Sequence, residues 1–298
     1  MSRAHLGLTA LAFSLTLAHA STALGFCRTT TCDPNDPKAG CKVSAGCVVS
    51  GKPLAWSSSC VTVGVHQMGT STGSLGYDAI ASVVESSFST WQAADCKPGN
   101  PSIDVKLLGP IECGLSEYNS SSGNANIVLL RTGPWPYVGA ANALGLTTTR
   151  FDTQTGELWD ADIELNGEAD FSTGDPVRGS DLQSVLTHEA GHFLGLSHST
   201  DSSATMRPVY DPIKDGVSFR SLAADDMAGI CAIYPPERVP STTSCENRHG
   251  FSSQCGADAP HESKGCGIAP LSRASSLSTV LTLLLVSSTR LARRRRVV

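Results

Sequence analysis

The stretch 187–199 reads THEAGHFLGLSHS and places three of the chain's eight histidines within eleven positions. His188 and His192 stand at i and i+4, so on a helix both imidazoles leave from one face. Glu189 stands beside the first. Gly195 lies three residues beyond His192. Without a Cβ it can adopt a left-handed conformation, end the helix and let the chain turn back, bringing His198 to the same point. Three neutral imidazole nitrogens define three corners of a zinc tetrahedron, and a fourth corner left to water marks a catalytic rather than a structural site. A carboxylate beside such a water is placed to take its proton. The competing reading, polar positions of an ordinary amphipathic helix, would need five residue types to match in one short window by chance.

The elements that must position these residues follow from the hydrophobic pattern. CVTVGVHQ (60–67) alternates like a strand, and YDAIASVVESSFSTWQAA (77–94) puts Ile80, Val83, Val84, Phe88 and Trp91 at helical spacing. IDVKLLG, ANIVLLRT, NALGLTTTRFD and ELWDADIELNG read as four further strands. Ser180 or Asp181 is the N-cap candidate of the helix that carries His188 and His192. A last helix over 222–236 is stopped by Pro235. Strand, helix, several strands, helix, loop, helix is the order of an α+β domain.

HEAGHFLGLSH resembles the extended zinc motif of the metzincin proteases. SATMRPVY supplies a candidate methionine turn. Ser199, Ala204, Met206, Pro208 and Tyr210 are similar to the matrixin branch of that class. ADDMAGICAIYP resembles the matrixin C-terminal helix, and LTTTRFDTQTGELWDADIELN resembles a strand region of bacterial matrixin-like proteins. The resemblance implies a metzincin-like zincin fold with a mixed, twisted sheet, a long active-site helix, a Met-turn and a C-terminal helix. It implies one catalytic zinc on His188, His192 and His198, with Glu189 as the general base. Met206 would pack beneath the histidines, and Pro208 and Tyr210 would wall the pocket for the substrate side chain after the cut. The expected activity is zinc-dependent endopeptidase cleavage of protein or peptide substrates through a zinc-activated water. The alternatives are a non-catalytic metal-binding surface or adhesion protein, and a zinc hydrolase of cell-wall amides. A PRCGxPD-type cysteine switch and the loop for a second, structural zinc are both missing from the sequence. Calcium could meet the acidic pairs Asp160/Asp162 and Asp225/Asp226; exposed carboxylates or helix-start charges are the plainer reading.

The two ends read as address labels. Arg3, the apolar run LGLTALAFSLTLA and the small residues around Ala20 predict a signal peptide over 1–20. At the other end, GCG at 265–267, a short apolar stretch and an arginine cluster resemble the C-terminal sorting tags of myxobacterial surface proteins. That predicts a membrane segment before processing and a secreted or surface-displayed product; a plain membrane anchor is the alternative. Residues 1–20 hold one Arg and 267–298 hold six, with no acids in either, so of 22 basic and 27 acidic residues the body keeps 15 and 27, a net charge of −12. An acidic body excludes nucleic acid as an expected partner. Eleven cysteines fit an oxidising compartment, with ten paired and Cys266 the expected odd one. The expected organisation is therefore a signal peptide (1–20), a Cys-rich appendage (21–59) that cannot bury much and would have to be held by disulfides, a catalytic domain (60–236), a disulfide-tied extension (237–265) and a C-terminal sorting segment (266–298).

Overall fold

The computed structural model describes residues 25–69, 75–137, 142–174 and 178–255. The expected signal peptide and the C-terminal segment with Cys266 lie outside the described residues. In chain order, β1 (Cys27–Arg28) precedes a small hairpin of β2 (Val43–Ser44) and β3 (Cys47–Val48). Then come β4 (Cys60–His66), α1 (Tyr77–Gln92), β5 (Asp104–Ile111), β6 (Ile127–Arg131), β7 (Gly145–Phe151) and β8 (Leu158–Asn166). Short β9 (Phe171–Ser172) and β10 (Ser180–Asp181) lead into α2 (Leu182–Phe193), followed by β11 (Leu196–Ser197), α3 (Pro212–Asp215) and α4 (Ala224–Ile233).

Five strands form one mixed sheet in the order β5-β4-β6-β8-β7. All neighbours are parallel except β7, which runs antiparallel to β8 and forms an edge. Strand periodicity sorts the side chains between two faces. Val61, Val63 and Val65 of β4, Val128 and Leu130 of β6, and Ile163 and Leu165 of β8 join Ile80, Val84, Phe88 and Trp91 of α1 and Val185, Leu186, Ala190 and Phe193 of α2 in the main core. Ile127 and Leu129 point the other way, into a second cluster with Ile111, Ala125 and Cys255. β6 is covered on both faces, which accounts for its unbroken apolar run.

The second cluster is closed by the segment after α4. Cys60–Cys245 and Cys113–Cys255 tie that segment across the sheet, and Cys96–Cys231 joins the end of α1 to α4. Cys27–Cys47 and Cys32–Cys41 complete the five disulfides, so the ten described cysteines all pair.

Two expectations need correction. Residues 25–59 do bury apolar surface: Leu54 and Trp56 are 0% and 6% exposed in the main core. Thr29 N donates to the Gly195 carbonyl and Trp56 Nε1 to the Phe193 carbonyl, both at 2.9 Å, so the segment is folded onto the domain and does not rely on disulfides alone. Second, the four aspartates are not exposed. Asp160 and Asp162 are 2% and 1% exposed, because the chain between β5 and β6 covers their face of β8: Ser116 Oγ donates to Asp162 Oδ2 at 2.9 Å. Asp225 and Asp226 do sit at the start of α4, but buried, with backbone N–H groups as partners.

Candidate metal centre and cleft

The helix that carries the first two histidines is fixed at both ends. At its start the Asp181 carboxylate accepts from Ser184 N at 2.9 Å, an N-cap that satisfies one of the helix's free donors. The buried Asp181 also pairs with the Arg220 guanidinium, Nη2 to Oδ1 at 2.5 Å. In the middle, Trp91 Nε1 donates to the Thr187 carbonyl at 2.7 Å. At the far end Gly195 takes φ +94°, the left-handed turn that its position requires. A Cβ there would meet the Leu54 carbonyl oxygen at 2.6 Å, so a side chain is excluded by contact as well as by conformation.

That turn brings the third histidine round. The rings of His188, His192 and His198 lie 4.8 to 5.3 Å apart between centroids. One potential ligand atom from each falls within 4.8 Å of the others, and among the described residues this is the only group of three or more metal-ligating side chains so placed. His188 Nδ1 meets the Thr205 carbonyl at 2.7 Å and His192 Nδ1 meets the Leu196 carbonyl at 2.9 Å. A carbonyl can only accept, so each Nδ1 carries the proton and each Nε2 keeps its lone pair. Burial drives all three imidazoles toward the neutral form. His188 is held well below the usual histidine range, with His192 and His198 adding like-charge repulsion. His192 is also lowered by burial, and His198, the most exposed of the three, is pulled down to about 4. Neutral rings with oriented Nε2 lone pairs are the donor set that zinc takes.

Glu189 points into the same cleft beside β7. Thr147 Oγ1 lies 2.7 Å from Glu189 Oε2, and Gly145 gives the carboxyl room, since a Cβ on that glycine would come 2.8 Å from Oε1. Burial pushes the Glu189 carboxyl up to about 7, with the Thr147 hydrogen bond acting in the opposite sense.

Met206 is 1% exposed and lies against α2 at Gly191. A Cβ on Gly191 would sit 2.2 Å from its sulfur, so the glycine inside the helix is what admits the methionine. The turn around Met206 is held by Asp226, whose carboxylate accepts from Thr205 N at 2.7 Å and Met206 N at 3.0 Å. Pro208 and Tyr210 line the cleft with the histidines, Glu189, Leu146 and Phe219, in a cavity of about 650 Å³. The Tyr210 hydroxyl donates to the Gly216 carbonyl at 2.7 Å and accepts from Asp181 N at 3.1 Å, which ties this wall to the start of α2.

The structure thus gathers His188, Glu189, His192, His198, Pro208 and Tyr210 at one cleft, with Met206 buried against Gly191 of α2. Sequence reading missed Thr147, Gly191, Phe219 and Asp226. Only Gly191 carried a local signal: a glycine inside a helical pattern marks a close approach.

Three features meet here: a helix with an i, i+4 histidine pair, a glycine turn to a third histidine, and a methionine turn packed against that helix. Together they define a metzincin-type domain. Residues 140–235 match the Matrixin family model. Over 110 residues the chain is 36% identical to Metalloendoproteinase 1-MMP of Arabidopsis thaliana, which is 36% of this chain and 28% of that protein. It is 41% identical over 98 residues to interstitial collagenase of Oryctolagus cuniculus (30% of this chain, 20% of that one). It is 42% identical over 80 residues to stromelysin-1 of Rattus norvegicus (25% and 17%). Over residues 140–235 the chain is thus similar to the matrixin-type metzincins. It spans less than a third of the length of these relatives.

Proposed function

We propose that this chain is a zinc-dependent endopeptidase acting on protein or peptide substrates, exported from the cell. The observation that carries the reading is the convergence of three imidazoles, two of them oriented by backbone carbonyls, with the buried Glu189 carboxyl in one cleft. His188 and His192 would hold the metal through their Nε2 atoms, with a ring nitrogen of His198 as the third ligand. When bound there, zinc supplies Lewis acidity, polarising a carbonyl and lowering the pKa of a water toward about 7.

The remaining chemistry belongs to the chain. Glu189 takes a proton from the attacking water and later delivers it to the leaving amine; a group titrating near 7 can do both. Thr147 holds the carboxylate in place and favours its anionic form. The outer edge of β7 borders the cleft and gives an extended peptide a strand to add to, binding main chain with little demand on sequence. Selectivity then falls on the pocket beside His188, walled by Pro208, Tyr210 and Phe219.

Five disulfides support an oxidising destination. We read 1–20 as the export signal and 266–298 as a sorting segment cut near Cys266. Among the described residues no helix is long and apolar enough to cross a membrane. Mass spectrometry of the mature protein checks both ends, and an intact arginine-rich C-terminus would exclude the cut.

The deciding experiment is cleavage of casein by purified protein, its loss on chelation and its return with zinc. A protein that binds zinc but leaves casein and a diverse peptide library uncut would support the non-catalytic alternative.

A further inference from the structure

The carbonyls from Phe193, the last residue of α2, to Leu196 in the turn that follows are taken one by one by donors from outside the helix. Phe193 O accepts from Trp56 Nε1 at 2.9 Å, and Leu194 O from the Tyr234 hydroxyl at 3.0 Å. Gly195 O accepts from Thr29 N at 2.9 Å. Leu196 O accepts from Thr29 Oγ1, also at 2.9 Å. Three of the four donors come from residues 25–56, the segment that stood apart from the site in the sequence. β1 then pairs antiparallel with β11, Cys27 opposite Ser197 and Arg28 opposite Leu196.

The Leu196 carbonyl has a second donor. It is the same atom that His192 Nδ1 meets at 2.9 Å. One carbonyl oxygen therefore joins the Thr29 hydroxyl to the ring of a candidate metal ligand. β11 ends at Ser197, one residue before His198, so the strand pair that places Thr29 also sets the approach of the third ring. Thr29 itself borders the cleft.

We propose that Thr29 is a positioning residue for the metal centre. Its hydroxyl fixes the Leu196 carbonyl, and that carbonyl fixes the tautomer and orientation of His192. Its backbone N–H, through Gly195, holds the turn that carries His198. The N-terminal disulfide segment is on this account the outer wall of the metal site and not a separate module. The inference rests on the zinc reading above. Hydrogen-bond partners just outside a metal's ligands set its affinity through ligand orientation. Thr29 acts one bond further out, so the expected loss lies at the lower end of the usual effect of such partners, about tenfold.

The test uses the whole exported protein and three substitutions, Thr29→Val, Thr29→Ser and Thr29→Ala. Valine keeps the shape and removes the donor; serine keeps the donor. Zinc affinity is measured by competition with a chromophoric chelator, and the ligand field is read from the visible spectrum of cobalt-substituted protein. Thermal unfolding of the metal-free forms reports folding separately. The expected result is zinc affinity weakened about tenfold and an altered cobalt spectrum in the valine variant. Serine restores both, and metal-free unfolding of the two variants stays together. Equal zinc affinity and an identical cobalt spectrum in wild type and Thr29→Val would overturn the inference while leaving the zinc reading intact. A wild type that binds no zinc would remove both. Should valine unfold the metal-free protein, the serine variant decides: with the donor retained, its affinity must match wild type, and a loss as large as that caused by Thr29→Ala overturns the proposal.

Discussion

The Thr147 hydroxyl stands 2.7 Å from Glu189 Oε2 and 3.2 Å from the Glu189 carbonyl oxygen, reaching across from the edge strand to the active helix. A hydroxyl in that position donates to the carboxylate and stabilises its charged form, against the burial that raises its pKa to about 7. Thr147→Val keeps the shape and removes the donor. Hydrogen bonds to charged groups contribute about 1.5–3 kcal/mol, so the acidic limb of kcat/KM should move up by roughly one pH unit or more. A pH–rate profile of the variant that overlays wild type would show that this bond does not tune the base.

Glu189→Gln tests the base itself. The amide retains the size of the side chain and cannot accept the proton. Turnover should fall by roughly 10²–10⁴, the usual reach of general acid–base catalysis, while zinc stays bound. Metal content and single-turnover cleavage measured on the same preparation separate this outcome from loss of the metal.

His198 differs from its two partners in standing on an exposed turn after the helix, whereas His188 and His192 are partly buried on it. His198→Ala should therefore lower zinc affinity steeply with little change in the unfolding of the metal-free protein. Metal titration alongside thermal melts reads both. Unchanged zinc affinity would mean that the third ligand lies elsewhere.

Gly191→Ala sets two local effects against each other. Alanine favours the helix by about 1 kcal/mol over glycine. Its Cβ, however, would lie 2.2 Å from the Met206 sulfur and 2.7 Å from Trp91 Cζ2, and both neighbours are buried. Overpacking of that kind costs about 1–3 kcal/mol, so the contact wins. A lower unfolding midpoint is expected, together with a disturbed methionine turn seen as weaker zinc binding.

The candidate site was legible where its determinants are local. The i, i+4 pair, the glycine turn and the methionine eight residues on all lie within one short stretch, and Gly195 does adopt the left-handed backbone that its spacing implied. What the sequence hid arrives from far along the chain. Thr147 is 42 residues from Glu189, and Thr29 is 167 residues from the carbonyl it bonds. Neither carries a pattern, because a single hydroxyl in or beside a strand has no periodicity. Asp160 and Asp162 misled for a related reason. Their alternation with apolar residues on β8 looks like a solvent face, but the crossing chain before β6 covers it and supplies Ser116 Oγ as a partner to Asp162, with Ile127 N of β6 as another. The Cys-rich segment gave away its disulfides and concealed Leu54 and Trp56, two large apolar residues among many turn formers.

The last prediction concerns acid, and its sign comes from opposed groups. The three histidines have folded pKa values below their ordinary 6.5, so the unfolded chain binds more protons as pH falls below 6.5. They make the metal-free protein lose stability on acidification. Glu189 does the reverse: raised from 4.5 to about 7, it binds its proton more tightly when folded, so it adds stability as pH falls from about 7 toward 4.5. Removing that titration with Glu189→Gln should leave the histidine contribution unopposed by this group. Asp160, also raised to about 7 by burial, is common to both proteins and cancels in the comparison. Urea midpoints of chelator-treated wild type and variant, measured between pH 7.5 and 5, should therefore diverge, the variant losing stability more steeply with acid. Parallel curves would mean that the Glu189 carboxyl is not held protonated by its surroundings in the metal-free fold.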